Sequence, residues 1–354
     1  MADGVKIGFL NDMAAAGPAP GDDMIAWIER EIAAVRKAGR FDGDVEIVRG
    51  YGLGLPSGTG EAVERAFAEL VAADVALIVG PAIGDNALHI TPFVERAGVP
   101  TINWAGAERA RGEWMFHLQV GSHEDESLVI ARHLAALGKR RLGVVHDRSP
   151  IGTRHLQFLI EEARVIGSAI VAAEAISPLD ERAGSAVGSV LAARPDAIVY
   201  LGLGLSAPAV ARALVAEGWR GPRMMNTAGI RGYHGDFAQI CNEWTYIDMH
   251  SDGNHVLARV IAEEELGRDK ALAVAKGHDL GRLVAEAVAR APSLTRAGLR
   301  EGLEKVKWLP AAEGNEGTLL GFGIQDRGAL HGRYLVVRQW LHGQSIEVRP
   351  PEVA

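Results

Sequence analysis

The sequence predicts an α/β protein built from two doubly wound parallel sheets in series. Short, almost continuously apolar segments alternate with longer segments that carry apolar residues at helical spacing. Continuous apolar strands of this kind are typical of parallel sheets covered by helices on both faces. The alternation restarts midway along the chain, and 354 residues are enough for two hydrophobic cores.

The first half alternates strands with helices up to about residue 103. The predicted strands are Val5–Leu10, Val45–Arg49, Val75–Val79 and Pro100–Asn103. The predicted helices are Asp22–Ala38, Gly60–Ala72 and a run that continues to Arg96. In the first helix, an apolar stripe at helical spacing predicts the buried face: Ile25, Ile28, Ile32 and Val35.

The second half repeats the alternation. Its predicted helices are Glu124–Leu137, Arg154–Ile166, Ala183–Ala193 and Ala207–Glu217, and its predicted strands are Arg141–His146, Ile170–Ala175, Ala197–Leu201 and Arg223–Asn226. After about His250 we expect only helices, namely Val256–Leu266, His278–Ala291 and Thr295–Lys305. A hairpin, Tyr334–Trp340 with Ser345–Arg349, should close the chain with a turn at His342-Gly343.

Composition excludes several classes of function. A net charge of −8 and a pI near 5.9 argue against nucleic acid or an anionic membrane surface as partner. The single cysteine, Cys241, allows neither an internal disulfide nor a cysteine metal cluster. The sequence predicts no transmembrane helix and no signal peptide. Either a signal peptide has been removed and Met1 is an added start, or the protein is natively cytoplasmic.

Motifs for catalysis and cofactors are absent from the sequence. The glycine-rich segment Gly50–Gly60 follows the second predicted strand, whereas a dinucleotide-binding loop should follow the first. There is no GxxxxGK[ST], GxSxG, HExxH or CxxC, and the twelve histidines are dispersed. We therefore expect no catalytic residue, no cofactor and no metal.

Small and polar residues follow the strand that ends at Val79. Gly80-Pro81 breaks this strand, and Gly84, Asp85 and Asn86 come where the next helix begins. One interpretation is that Asp85 or Asn86 caps the helix. The other is that this loop binds a ligand, because ligands of open α/β sheets lie beyond the carboxyl ends of strands, near helix N-termini.

The segments VKIGFL, ALIVGPAIGDNALHITPFVERAGVPTINWAG, MFHLQVG, RLGVVHDRSPIGTR, PDAIVYLGLGLSAP and GLREGLEKV, in this order, resemble the type I periplasmic binding proteins. The most similar branch is the leucine/isoleucine/valine-binding group. The resemblance implies two α/β lobes joined by three crossings, with a ligand cleft between them. It places one lobe at 2–118 plus 251–323 and the other at 120–249 plus 327–354, with crossings near Gln119, His250 and Gln325.

This chain departs from the amino-acid binders of that family. Those proteins hold the ligand with a serine in the first loop, an Ala-x-Thr pattern after the next strand, and an acid in the second lobe. The corresponding segments here are Gly84-Asp85-Asn86, Ala105-Gly106-Ala107 and Asn226-Thr227-Ala228. A zwitterion without matched partners costs several kcal/mol to bury. We therefore expect an apolar or aromatic acid or amide, although Asp12 or Asp85 could still hold an ammonium group.

Apolar residues and a few polar ones make up the expected site. Trp104 is either a wall of the cleft or part of the core, and Arg231 either meets a carboxylate or is a solvated loop arginine. The residues that we expect at the ligand are Asn11, Asp12, Gly84, Asp85, Asn86, Trp104, Ala105, Gly106, Ser149, Ile151, Leu203, Thr227, Arg231 and His250.

Three hypotheses for function follow. The leading one is a periplasmic solute-binding protein that delivers a ligand to the membrane permease of an ABC transporter. The second is a cytoplasmic ligand sensor of the same fold, and the third is an enzyme on a two-lobed scaffold. The absence of any nucleophile–base or metal pattern argues against the third.

Overall fold

The computed structural model describes residues 4–13 and 23–348, which form two compact units. Among the described residues, the first unit comprises 4–13, 23–120 and Met249–Tyr334, and the second comprises Gly121–Asp248 and 335–348. Asp22 and Arg349, which the sequence placed at the ends of predicted elements, lie outside the described residues.

The third crossing between the units does not lie near Gln325, where the resemblance placed it. The chain leaves the first unit only after Tyr334, because the segment before it belongs to that unit. Leu330 accepts a hydrogen bond from the Gln119 amide (3.1 Å) and donates one back to Oε1 of Gln119 (2.9 Å). Leu330 and His331 also pair with a neighbouring strand of the first unit.

The described strands are β1 Val5–Asn11, β2 Val45–Tyr51, β3 Leu77–Val79, β4 Thr101–Asn103, β5 Met115–His117, β6 Arg141–Asp147, β7 Ala169–Ile176, β8 Ala197–Leu201, β9 Arg223–Met225, β10 Thr245–Asp248, β11 Leu309–Pro310, β12 Leu319–Leu320, β13 Leu330–His331, β14 Val336–Leu341 and β15 Gln344–Glu347. The described α-helices are α1 Met24–Lys37, α2 Gly60–Ala72, α3 Gly84–Ala97, α4 His123–Ala136, α5 Pro150–Val165, α6 Gly184–Ala192, α7 Ala207–Ala216, α8 Phe237–Ile240, α9 His255–Glu263, α10 Ala271–Arg290 and α11 Arg296–Glu304. Two 3-10 helices, Thr227–Tyr233 and Arg268–Lys270, join them.

Each unit contains one large sheet. The first is parallel, with strand order β2-β1-β3-β4-β5. The second has the order β15-β14-β10-β9-β8-β6-β7, in which β14 and β15 are antiparallel and the other strands are parallel. The first unit also holds the small antiparallel sheet β11-β12-β13.

Both large sheets are covered on two faces, as their continuous apolar strands predict. In β3, Leu77 and Val79 belong to the core that contains Trp27 and Leu283, whereas Ile78 belongs to the core that contains Leu70. The same alternation holds in the second unit along β8, whose successive residues enter two different cores. The predicted doubly wound parallel class is confirmed.

The predicted C-terminal hairpin is present. β14 and β15 are joined by His342 and Gly343, both at positive φ (53° and 77°), which is the geometry of a two-residue hairpin turn. The prediction of helices alone after His250 is wrong, because β11, β12 and β13 lie in that part of the chain. Strands of two residues are too short to show a period in sequence.

Candidate functional site

The strand orders place a topological switch point in each unit. In the first sheet β1 lies between β2 and β3, and in the second β6 lies between β7 and β8. The chain therefore winds outward in one direction from β1 or β6 and then returns to wind in the other. Ligands of open α/β sheets bind at the carboxyl ends of strands at such points. The candidate site residues are those that follow β1 and β3, and β6 and β8.

Asp12 lies at the switch point of the first unit, directly after β1. Its Oδ1 accepts the N–H of Ala82 (2.8 Å), and its Oδ2 accepts the N–H of Ile83 (3.1 Å) and the side-chain amide of Asn86 (2.8 Å). The carboxyl group is buried, and this burial raises its pKa despite the three donors. Asp12 thus holds the loop after β3 to the end of β1, and its oxygens are already engaged by neutral donors.

Asn86 extends this network to the glycine-rich segment. Its Oδ1 accepts the N–H of Leu55 (2.9 Å), while Gly52 and Gly54 donate their N–H groups to the carbonyls of Asn11 and Asp12. A Cβ on Gly54 would lie 2.1 Å from Nδ2 of Asn86, so only glycine allows this approach. Asn86 therefore positions two loops beside the switch point.

The N-cap of α3 differs from the expectation. The helix begins at Gly84 with Ile83 as N-cap, so neither Asp85 nor Asn86 caps it, and Ile83 supplies no side-chain cap. Asp12 instead accepts the N–H of Ile83 from the neighbouring strand. Gly84, Asp85 and Asn86 all lie buried in the first turn, where helical N–H groups lack partners within the helix.

Trp104 and Ala105 follow β4 with different environments. Trp104 packs partly against the core of the first unit, and its ring centroid lies 5.8 Å from Nζ of Lys276. The indole Nε1 of Trp104 is buried and has no hydrogen-bond partner among the described residues. Ala105 is buried, and its carbonyl accepts the N–H of Val120 (2.9 Å). Gly106 is half-buried beside it.

Asp147 occupies in the second unit the position that Asp12 occupies in the first. Its Oδ1 accepts hydrogen bonds from the hydroxyls of Tyr200 and Ser206 (both 2.8 Å), and its Oδ2 accepts the N–H of Leu203 (2.8 Å). A Cβ on Gly202 would lie 2.2 Å from Oδ2 of Asp147. The carboxylate thus holds the loop after β8 to the end of β6.

Arg231 lies on the 3-10 helix Thr227–Tyr233, next to this loop. Its Nε donates a hydrogen bond to the carbonyl of Leu203, and its two terminal guanidinium nitrogens make none to any described residue. Burial lowers the pKa of Arg231, and the nearby Tyr200 and Asp147 act in the opposite direction. A half-buried guanidinium whose two terminal nitrogens are unengaged by the described residues is suited to a bidentate oxygen ligand.

Other predicted site residues have structural partners. Thr227 donates its N–H (2.6 Å) and its hydroxyl (3.2 Å) to the carboxylate of Glu126. Ser149 caps α5, its Oγ accepting the N–H of Gly152 (3.1 Å), and Ile151 is buried in the first turn. Asn11 accepts the N–H of Met13 (3.0 Å).

His250 is buried at the second passage, where it forms an isolated bridge with Gly314.

The structure adds residues that the sequence prediction of the site lacked, namely Asp147, Tyr200, Ser206, Glu126 and Asn226. One signal was available for Asp147, because KIGFLND (6–12) and RLGVVHD (141–147) share their pattern and end on the same acid.

The comparisons with known proteins agree with this architecture. A family model described as "Periplasmic binding protein" matches residues 4–336. A periplasmic binding protein type 1 from Bordetella pertussis Tohama I has 18% identity and a TM-score of 0.81, and the match covers 99% of this chain and 100% of that one. A comparison with curated protein sequences gave no match.

Two further structures share the fold at low identity. The leucine binding protein LivK from Thermotoga maritima MSB8 has 17% identity and a TM-score of 0.79, with 98% of both chains covered. A Rhodopseudomonas palustris ABC transporter solute-binding protein, solved in complex with 4-hydroxybenzoate, has 14% identity and a TM-score of 0.76, with 98% of this chain and 96% of that one covered. The chain belongs to the periplasmic binding protein family, and its fold is of type I, as the resemblance predicted.

None of the helices in residues 4–13 and 23–348 is long and apolar enough to span a bilayer. Within the same residues, no group of three or more histidine, cysteine, aspartate or glutamate side chains is arranged to hold a metal ion.

Proposed function

We propose that this protein is the solute-binding component of an ABC importer, and that its ligand is a small, largely apolar or aromatic acid or amide. The observation that carries the proposal is Arg231, whose terminal guanidinium nitrogens are unengaged by the described residues at a switch point of the fold. A carboxylate or an amide carbonyl can accept hydrogen bonds from these two nitrogens.

A standard amino acid fits the switch points of the two units less well than an aromatic acid or amide. The two acids at the switch points, Asp12 and Asp147, each accept three hydrogen bonds from protein donors. An ionised carboxylate has about four acceptor sites, so each acid has about one left for a ligand ammonium, and a second bond would displace a donor buried with it, at about 1–3 kcal/mol. This supports the expectation drawn from the missing serine and threonine anchors.

The apolar part of the ligand has candidate contacts in Trp104 and Leu203. The unpartnered indole N–H of Trp104 also offers one hydrogen bond to a ligand oxygen. Burying a few hundred Å² of apolar ligand surface would contribute several kcal/mol, at about 25 cal/mol per Å². The relative that binds 4-hydroxybenzoate gives a precedent for an aromatic acid on this fold.

In this proposal the protein performs no chemical step. The ligand is trapped when the two lobes close, and the closed form is presented to the membrane permease. We place the protein in the periplasm, since the family serves importers there.

Calorimetry with benzoate, 4-hydroxybenzoate, benzamide and leucine tests the proposal. An aromatic ligand should bind, and should raise the melting temperature because it stabilises the folded state by RT ln(1 + [L]/Kd). In Arg231→Gln, the affinity for that ligand should fall at least tenfold, which is about 1.4 kcal/mol.

Arg220→Gln is the matched control, because Arg220 is an exposed arginine of the same unit. Its affinity should equal that of the wild type. Tight binding of leucine with none of the aromatic compounds, or an unchanged affinity in Arg231→Gln, would overturn the proposed ligand class.

A further inference from the structure

Trp340, on the C-terminal hairpin, contacts the 3-10 helix that carries Arg231. Its indole Nε1–H donates a hydrogen bond to the carbonyl of Gly229 (2.8 Å). The ring is stacked on Tyr246, with centroids 5.2 Å apart and an interplanar angle of 4°, and it meets Tyr233 edge to face at 5.0 Å. Trp340 is 2% exposed, so this contact is part of the core of the second unit.

Two glycines allow the 3-10 helix to lie directly on these rings. A Cβ on Gly229 would come within 2.3 Å of Cγ of Tyr246, and a Cβ on Gly232 would come within 2.2 Å of the Trp340 ring. Such distances are not available to any other residue without a shift of the backbone or the rings. The surfaces of Tyr246 and Trp340 therefore fix the height of the helix above the sheet.

The end of the 3-10 helix is held by the same hairpin. The hydroxyl of Tyr233 lies within hydrogen-bond distance of Oδ2 of Asp248 (2.9 Å) and of Oγ of Ser345 (3.1 Å). Ser345, on β15, is also 2.6 Å from the hydroxyl of Tyr246 and accepts a hydrogen bond from Nε of Arg338 (2.7 Å). Tyr233 is thus bonded to both the hairpin and β10.

The opposite side of the helix carries Arg231 against the loop after β8. Gly204 has φ of +85°, and a Cβ there would lie 2.9 Å from Cδ of Arg231. With Nε bonded to Leu203, the direction of the guanidinium depends on the position of the helix backbone. A small displacement of that backbone would misdirect the two terminal nitrogens.

We propose that the hairpin β14–β15 positions Arg231 for its ligand, with Trp340 and Tyr233 as the positioning residues. Neither residue touches the ligand in this proposal; each acts through the backbone of residues 227–233. The inference deepens the proposed function, on which its ligand-binding part rests, while the positioning itself can be measured without a ligand.

Hydrogen exchange of the free protein, followed by mass spectrometry, provides the first test. In Trp340→Phe, which keeps a ring on Tyr246 but removes the hydrogen bond to Gly229, exchange in residues 227–233 should rise several-fold. Exchange in β6 should stay unchanged, which separates local loosening from global unfolding. The rate at which phenylglyoxal modifies Arg231, relative to Arg220, should change as well.

Trp219→Phe is the matched control. Trp219 packs against the same core, but its Nε1 has no hydrogen-bond partner among the described residues, so the same substitution removes no bond. It should leave both readouts at the wild-type values. Should Trp340→Phe fail to fold, Tyr233→Phe removes only a hydroxyl and should give the same local increase in exchange.

Calorimetry with benzoate then tests the functional part. Trp340→Phe should weaken binding about five- to tenfold, and it should have no further effect in an Arg231→Gln background. Unchanged exchange and unchanged modification of Arg231 would overturn the proposal, as would increased exchange with unaltered affinity. If the wild-type protein binds none of the aromatic compounds, the proposed ligand class fails, and the exchange and modification data alone decide the positioning role.

Discussion

The two units place the same acid at the same point of the same topology but use it differently. In the first, Asp12 accepts two main-chain N–H groups and one side-chain amide; in the second, Asp147 accepts one main-chain N–H and two hydroxyls. The topology thus places the acid at the carboxyl edge of each sheet, and the side chains around it determine which chemical groups lie at that edge. The first edge offers aromatic surface through Trp104, and the second offers the cation of Arg231.

The largest expected effect comes from removing the acid of the second unit. In Asp147→Asn, an NH₂ group would face buried donors, so at least one hydroxyl or N–H would lose its acceptor. We expect the free energy of unfolding to fall by about 3–5 kcal/mol, the range for breaking a buried charged network. Urea denaturation followed by circular dichroism gives this value.

Asp12→Asn makes the comparison between the units direct. We expect a loss of about 2–3 kcal/mol, because the raised pKa of Asp12 indicates that its charge is less well stabilised than a fully solvated one. Asp236→Asn, at an exposed aspartate of the second unit, serves as control. A loss at Asp147 no greater than that of the control would show that this network does not stabilise the unit.

The next effect concerns the acid sensitivity of the first unit. In the first unit, Glu286 on α10 accepts hydrogen bonds from Arg40 (2.7 Å to each oxygen) and Arg290 (2.7 Å), and these bonds lower its pKa to about 2. Because the pKa is lower in the folded state, the stabilisation is complete above the unfolded value of about 4.5 and is lost as the pH falls towards 2.

Glu286→Gln should therefore destabilise the protein by about 3 kcal/mol at pH 7 and make it less sensitive to acid between pH 4.5 and 2. Urea denaturation at several pH values measures both changes. Glu301→Gln is the control, since its exposed pair with Lys305 should contribute only about 0.3–0.5 kcal/mol. An equal loss of stability in acid for wild type and Glu286→Gln would assign acid sensitivity to other groups.

The smallest effect separates helix caps from ligand contacts. Ser149 caps α5 in the second unit, and Thr59 caps α2 in the first. Oγ1 of Thr59 accepts the N–H of Ala62 (3.2 Å). Ser149→Ala and Thr59→Ala should each cost about 1 kcal/mol of stability. If Ser149 is only a cap, thermal denaturation should show this loss while the affinity for an aromatic acid stays constant. A lower affinity in Ser149→Ala alone would support Ser149 as a ligand contact.

The prediction of elements succeeded where the period was long enough to detect. Gly60–Ala72 and Ala197–Leu201 have the predicted bounds, because apolar residues repeat through several turns or fill a whole strand. α5 begins at Pro150 rather than Arg154, since Ser149 caps it and proline is suited to a first helical turn. The strands β5 and β10, of three and four residues, were missed, whereas β4 and β9, of three residues each, were predicted, so segments this short are an unreliable signal.

By itself, the sequence determined the doubly wound class, the division into two similar units and the C-terminal hairpin turn. These depend on local pattern: apolar runs, helical spacing, and residues that tolerate positive φ at His342 and Gly343. The resemblance added the family, which the comparison with the family model confirmed.

Only the tertiary structure decided which polar side chains bond to distant loops and which have donors left unengaged by the described residues. Asp12 and Asn86 are 74 residues apart, and Asp147 and Leu203 are 56 apart, so nothing in the local sequence shows that they bond. Arg231 is likewise separated from Trp340 by more than a hundred residues, yet the hairpin that carries Trp340 supports its helix. Hydrogen bonding depends on distance in space, and parallel sheets with crossover helices bring the ends of distant strands to one edge.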